Sequence, residues 1–173
     1  MKRVSFASLP IFWRGLLFCL LLGVPFLILS KIRNRRIKMT TINKIGKEVY
    51  YLLLENGFSL YMARFITAQA AHETGNFTSK IFEENNNLFG MKLPAIRKTL
   101  AIGENKGHAV YKSIQDCIKD FKLYFDSFKY ISSYSSIELY VKALKRNRYF
   151  EADEEQYKKG CEHFYNLYFN NVS

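Results

Sequence analysis

Ala68-Gln69-Ala70-Ala71-His72-Glu73-Thr74-Gly75 and, ten residues further on, Asn86-Asn87-Leu88-Phe89-Gly90-Met91-Lys92 are the two stretches on which the fold turns. The first is apolar up to Thr74-Gly75, a pair that stops helices, so Glu73 falls at the C-terminal end of an apolar helix. The negative end of the helix dipole and apolar neighbours both disfavour a carboxylate there. A glutamate so placed can keep its proton near neutral pH and act as a general acid, although most glutamates near helix ends are solvated. His72-Glu73 also opens a zinc-protease pattern, but that pattern needs a second histidine at position 76, which is Asn76. The second stretch reads as a compact apolar turn or short strand.

Working outward, residues with helical spacing alternate with stop signals. Thr41 can cap a helix carrying Ile42, Ile45, Val49, Leu52 and Leu53 on one stripe, ended by Asn56-Gly57. Ser59 can cap the helix that runs to Glu73. Asn76 to Phe82 fits a short helical turn, and Glu83 to Asn87 reads as a polar loop. Pro94 to Gly107 predicts a long loop or small hairpin, and His108-Ala109-Val110-Tyr111 a strand. Ser113 caps a helix with Ile114, Cys117, Ile118, Phe121, Tyr124 and Phe125 at helical spacing. Ser135-Ser136-Ile137-Glu138 is a capping-box pattern before Leu139, Val141 and Leu144. Asn147 to Phe150 is a link, and Asp153 opens a last helix with Tyr157, Cys161, Phe164, Tyr165 and Tyr168 inward. The expected class is α+β and mostly helical.

The net charge of +11 is unevenly spread. Eight of the 26 Lys and Arg residues lie within residues 1–38 with none of the 15 acids, and the remaining 18 nearly balance those acids. A basic run beside the uncharged Gly15–Leu29 segment predicts a membrane anchor over 1–38, followed by a domain over 39–173. A cleaved signal peptide and a soluble protein starting at Met39 are the rival readings. The larger number of basic residues after the apolar run than before it favours a cytoplasmic domain, against the expected placement in the envelope. With no basic patch or groove-reading helix, nucleic acid is not an expected partner. Three cysteines without a CxxC give neither a disulfide scaffold nor a zinc site, and Cys117 and Cys161 read as buried thiols. Cys161 and His163, two apart on a helix, point about 200° away from each other and make no dyad. No metal or cofactor is expected.

The two opening stretches together resemble the glucosaminidase family of cell-wall hydrolases, whose pattern runs roughly A-Q-A-x-x-E-S/T-G and then N-N-L-F-G-I/M-K. His108 to Ser113, Ile118 to Phe121 and Asn147-Arg148-Tyr149 resemble later elements of that family, so the resemblance covers about residues 40–169. It implies a lysozyme-like fold, a helical lobe and a small β-containing lobe with a cleft between them; the membrane helix expected from the composition of residues 1–38 precedes it. The resemblance implies hydrolysis of the β-1,4 bond after N-acetylglucosamine in the glycan strands of peptidoglycan. Together with the anchor read from residues 1–38, the expectation is an enzyme of the cell envelope held at the inner membrane and facing the wall.

By position Glu73 matches the catalytic acid and Tyr149 a tyrosine near the reacting sugar. Asn87, Phe89 and Gly90 match the turn beneath the acid, and Tyr111 is expected either to stack on sugar or to join the core. Many members carry a second carboxylate in the β-lobe, where this chain has Ala101. Glu104 is the nearest replacement, with Glu83 and Glu84 as others. The alternatives are a non-catalytic glycan-binding envelope protein and a lytic transglycosylase. A tethered wall-cutting domain also suits envelope-spanning machinery as a partner.

Overall fold

Serine and aspartate caps punctuate the chain. The computed structural model describes residues 44–127 and 134–170; the expected anchor over 1–38, with Cys19, lies outside them. Helix α1 covers 44–55. Helix α2, Leu60–Glu73, starts where the Ser59 hydroxyl accepts a hydrogen bond from the Met62 N–H at 3.3 Å. Its residues from Phe65 to Ala71 are all buried, the polar Thr67 and Gln69 among them, which puts this helix at the centre of the domain. It packs against α6, Glu154–Tyr165, which Asp153 caps and which also meets α5, Ile137–Arg146. Ser113 and Ser136 cap α4, Ile114–Phe125, and α5 in the same manner. In the capping-box pattern the cap is therefore Ser136, and Glu138 pairs instead with Lys142 one turn on.

One segment differs from the sequence reading, and in a second the structure selects the hairpin from the two readings offered. The stretch expected to be a loop from Glu83 is helical: α3 runs Lys80–Asn85, because Ser79 accepts from Phe82 N–H and defines a start three residues earlier. The Pro94–Gly107 loop contributes a strand, β1, Gly103–Asn105, paired antiparallel with β2, His108–Val110. Lys106 and Gly107 both take positive φ, 53° and 75°, as a tight hairpin turn requires.

Three consecutive asparagines then stitch α3 to this hairpin. Asn85 exchanges hydrogen bonds with Asn105, through its amide to the Asn105 carbonyl and from the Asn105 amide to its own oxygen. Asn86, in the left-handed region at φ 51°, donates to the Tyr111 carbonyl. Asn87 donates to the carbonyls of Met91 and Ala109 and accepts from the N–H groups of Phe89 and Met91. Its one buried side chain thus closes the Leu88–Met91 turn and fastens it to β2. Both polar atoms of the Asn87 side chain are matched, as burial demands.

A second tie runs from the loop before β1 into the helices. Arg97 makes a two-pronged ion pair to Asp120 of α4 at 2.9 and 2.8 Å. Asp120 also accepts from the Leu100 N–H and from the Tyr111 hydroxyl. Burial disfavours the Asp120 carboxylate, but these donors outweigh it and hold the group below its ordinary value. Cys117 and Cys161 are both buried free thiols.

Candidate active site

Where the C-terminus of α2 meets the Leu88–Met91 turn, a cleft of about 690 Å³ opens. His72, Glu73 and the segment Phe89–Lys92 contribute to it. So do Pro94, Arg97 and His108 from the β-containing side, Tyr124 of α4, the strap Tyr149–Ala152 and Tyr157 of α6. The volume falls in the range of small-molecule pockets, and the mixture of aromatic faces with a few polar groups suits a sugar.

Glu73 is partly buried there. Burial raises its pKa above the ordinary carboxylate value, and a hydrogen bond from Tyr157 works the other way. That bond is short: the Tyr157 hydroxyl donates to Glu73 Oε1 at 2.5 Å. Tyr157 is itself clamped by the Phe150 ring, stacked at 3.8 Å and 6°, and by the edge of His72 at 4.9 Å. The second carboxyl oxygen, Oε2, faces Gly90: a Cβ at that position would stand 4.0 Å from it. There is space for a side chain, so the glycine answers the backbone, which lies at φ 60°. Burial pushes His72 below its ordinary value, leaving a neutral ring beside the carboxyl.

Tyr149 also lines the cleft, but its hydroxyl donates to the Phe89 carbonyl at 2.8 Å rather than to Glu73. Burial and the nearby Glu73 charge both push its pKa well up, so it stays a neutral donor. Arg148, immediately before it, is held at φ 56°, a costly conformation for a residue with a side chain, and the turn it makes carries Tyr149 into the cleft. Among the described residues no group of His, Cys, Asp or Glu gathers to hold a metal ion.

Glu73, Tyr149, Phe89 and Gly90 therefore meet in one place. Five other residues singled out in the sequence do not line it. Asn87 is buried and spends its polar atoms on the turn and on β2. Tyr111 is 1% exposed, its hydroxyl given to Asp120, so it is a core residue and not a stacking platform. Glu104 pairs with Ala109 across the hairpin and so shares its face, whereas the cleft residue His108 lies on the other. Glu83 is exposed and Glu84 is bound to Lys106 at 2.6 Å; neither lines the cleft. Sequence reading missed the role of Tyr157. It saw an inward aromatic on the last helix, and no local signal links a residue to a partner 84 positions away.

Comparison with known proteins bears on the family and the fold. The family model described as Glucosaminidase, mannosyl-glycoprotein endo-beta-N-acetylglucosaminidase, matches residues 54–169. Protein bax of Escherichia coli (strain K12) is 32% identical over 87 residues, which are 50% of this chain and 31% of that protein. The matched region thus spans about a third of the length of that relative. A chain in the structure of a type VI secretion system effector-immunity complex from Pseudomonas protegens superposes with a TM-score of 0.60 at 18% identity. The superposition covers 73% of this chain and 93% of that one, and shows a shared fold.

Proposed function

This chain belongs to the glucosaminidase family, a family of glycosidases, and from that premise we propose that it hydrolyses peptidoglycan glycan strands at the β-1,4 bond after N-acetylglucosamine, with Glu73 as general acid. The supporting observation is the state of that carboxyl: partly buried in a sugar-sized cleft, raised in pKa, and hydrogen-bonded among the described residues through Oε1 alone. With Tyr157 donating to Oε1, the acidic proton resides on Oε2, the oxygen that faces Gly90. Bond cleavage delivers it to the glycosidic oxygen as the C1–O bond breaks, so the departing sugar leaves as an alcohol and positive charge develops at C1 and the ring oxygen. Proton donation of this kind contributes roughly 10²–10⁴-fold.

The lysozyme-like reading of the two lobes agrees with a cleft at their junction. Attachment of the domain to the inner membrane through residues 1–38, facing the wall, and service to an envelope-spanning machine complete the proposal. The test is digestion of purified peptidoglycan by the full chain and by Glu73→Gln. New reducing ends from the parent and none from the variant are expected; equal digestion by both overturns the assignment of the acid. The mass of the products separates hydrolysis from transglycosylation, which leaves an anhydro sugar.

A further inference from the structure

A general acid alone does not hydrolyse a glycoside; a water must also be deprotonated as it attacks C1. Two carboxylates belong to residues lining the cleft, Glu73 and Glu151, while Glu104 does not line it. Their surroundings differ in the way that divides acid from base in such enzymes. Glu73 is partly buried and hydrogen-bonded, whereas Glu151 is exposed, and its carboxylate has no hydrogen-bond or ion-pair partner among the described residues.

Its backbone, by contrast, is firmly held. Lys145 Nζ donates to the carbonyls of Glu151 and Ala152 at 3.0 and 2.7 Å. On the preceding side Phe150 stacks on Tyr157, and on the following side Asp153 caps α6. The strap thus fixes the position of residue 151 at the cleft and leaves its carboxylate free for a ligand.

We propose that Glu151 is the general base of this enzyme, accepting a proton from the attacking water. The water oxygen bonds to C1 on the face opposite the leaving group, the C1–O bond to the departing sugar breaks, Glu73 gives that oxygen its proton, and Glu151 takes the proton of the water. The first product is therefore the inverted α-anomer. This rests on Glu73 being the acid. It stands apart from substrate assistance, in which the N-acetyl carbonyl attacks C1 and the configuration is retained.

The experiment compares the full-length parent with Glu73→Gln, Glu151→Gln, Glu151→Ala and Glu104→Gln on soluble peptidoglycan glycan fragments, with the first-formed anomer followed by NMR. Glu151→Gln and Glu151→Ala should lose roughly 10²–10⁴-fold in kcat, Glu104→Gln should match the parent, and the parent should release the α-anomer first. Azide added to Glu151→Ala should restore turnover and yield an α-glycosyl azide. Glu151 variants within about twofold of the parent, a β-anomer from the parent, or no α-azide overturns the proposal. A fully active Glu73→Gln overturns instead the reading on which it rests.

Discussion

The Tyr157 hydroxyl and Glu73 Oε1, 84 residues apart in the chain, lie 2.5 Å from each other and join α6 to the end of α2. This bond favours the ionised form of Glu73 against the effect of burial. Removing it in Tyr157→Phe raises the Glu73 pKa further. A general acid works protonated, so the alkaline limb of the kcat/KM profile moves to higher pH, while loss of the orienting bond lowers the maximum by about tenfold, the equivalent of about 1.4 kcal/mol. A pH–rate profile for parent and variant reads both effects; an unmoved alkaline limb rejects this role for Tyr157.

Glu73 should also be a stability liability above its unfolded pKa. Because its folded pKa is raised, its favourable contribution is complete below the unfolded value and is lost as pH rises through the folded one. Glu73→Gln, neutral at every pH, should therefore equal the parent near pH 4 and exceed it by on the order of 1 kcal/mol at pH 8. Thermal melts at the two pH values check this, and an inactive variant that melts higher separates loss of chemistry from loss of fold.

Asp120 behaves in the opposite sense. Its folded pKa is lowered, so the stability it supplies is present above the unfolded value and disappears as pH falls through the folded one. Asp120→Asn leaves the partly exposed Arg97 without its counter-charge and weakens the bond to Tyr111. A loss of about 2–3 kcal/mol is expected, below the full range for a wholly buried pair because water still reaches Arg97. Urea denaturation at pH 7 and pH 3 measures it: the gap between parent and variant should shrink at the lower pH.

Gly160 supplies a test that runs against helix propensity. Alanine within a helix ordinarily gains about 1 kcal/mol over glycine. Here a Cβ at residue 160 would come within 2.3 Å of the His72 ring, which is itself packed on Tyr157. Gly160→Ala should therefore destabilise by about 1–3 kcal/mol and reduce activity by disturbing the residue next to Glu73. A Tm above that of the parent would show that the ring moves aside freely.

Asn87→Ala removes four hydrogen bonds from the turn beneath the acid. Buried groups left without partners should cost about 2–3 kcal/mol, seen as a lower Tm, rather than the rise in KM with unchanged Tm that a direct contact with sugar would give.

Much of this protein was legible as local chemistry. Ser59, Ser113 and Asp153 announce helix starts because a cap acts within three residues, and Thr74-Gly75 ends α2 for an equally local reason. Glu73 and the Asn87–Gly90 turn could be read for the same cause: the motif lies on a helix end and the turn that follows soon after it. Tyr111 could not be classified, because periodicity identifies an inward side chain without saying whether it meets core or cleft. Only the contact with Asp120 decides that.

The order of residues alone determined most of the helices, the caps at Ser59, Ser113 and Asp153, the family pattern and the candidate for the acid, all of which depend on neighbours a few positions apart. Tertiary structure decided what surrounds that acid. Glu104 lies away from the cleft because hairpin register sets its face, Tyr157 reaches Glu73 because α6 packs on α2, and Glu151 arrives at the cleft because Lys145 and Phe150 hold its strap. Contacts between distant segments arise when the whole chain packs, and no short stretch of sequence carries their geometry.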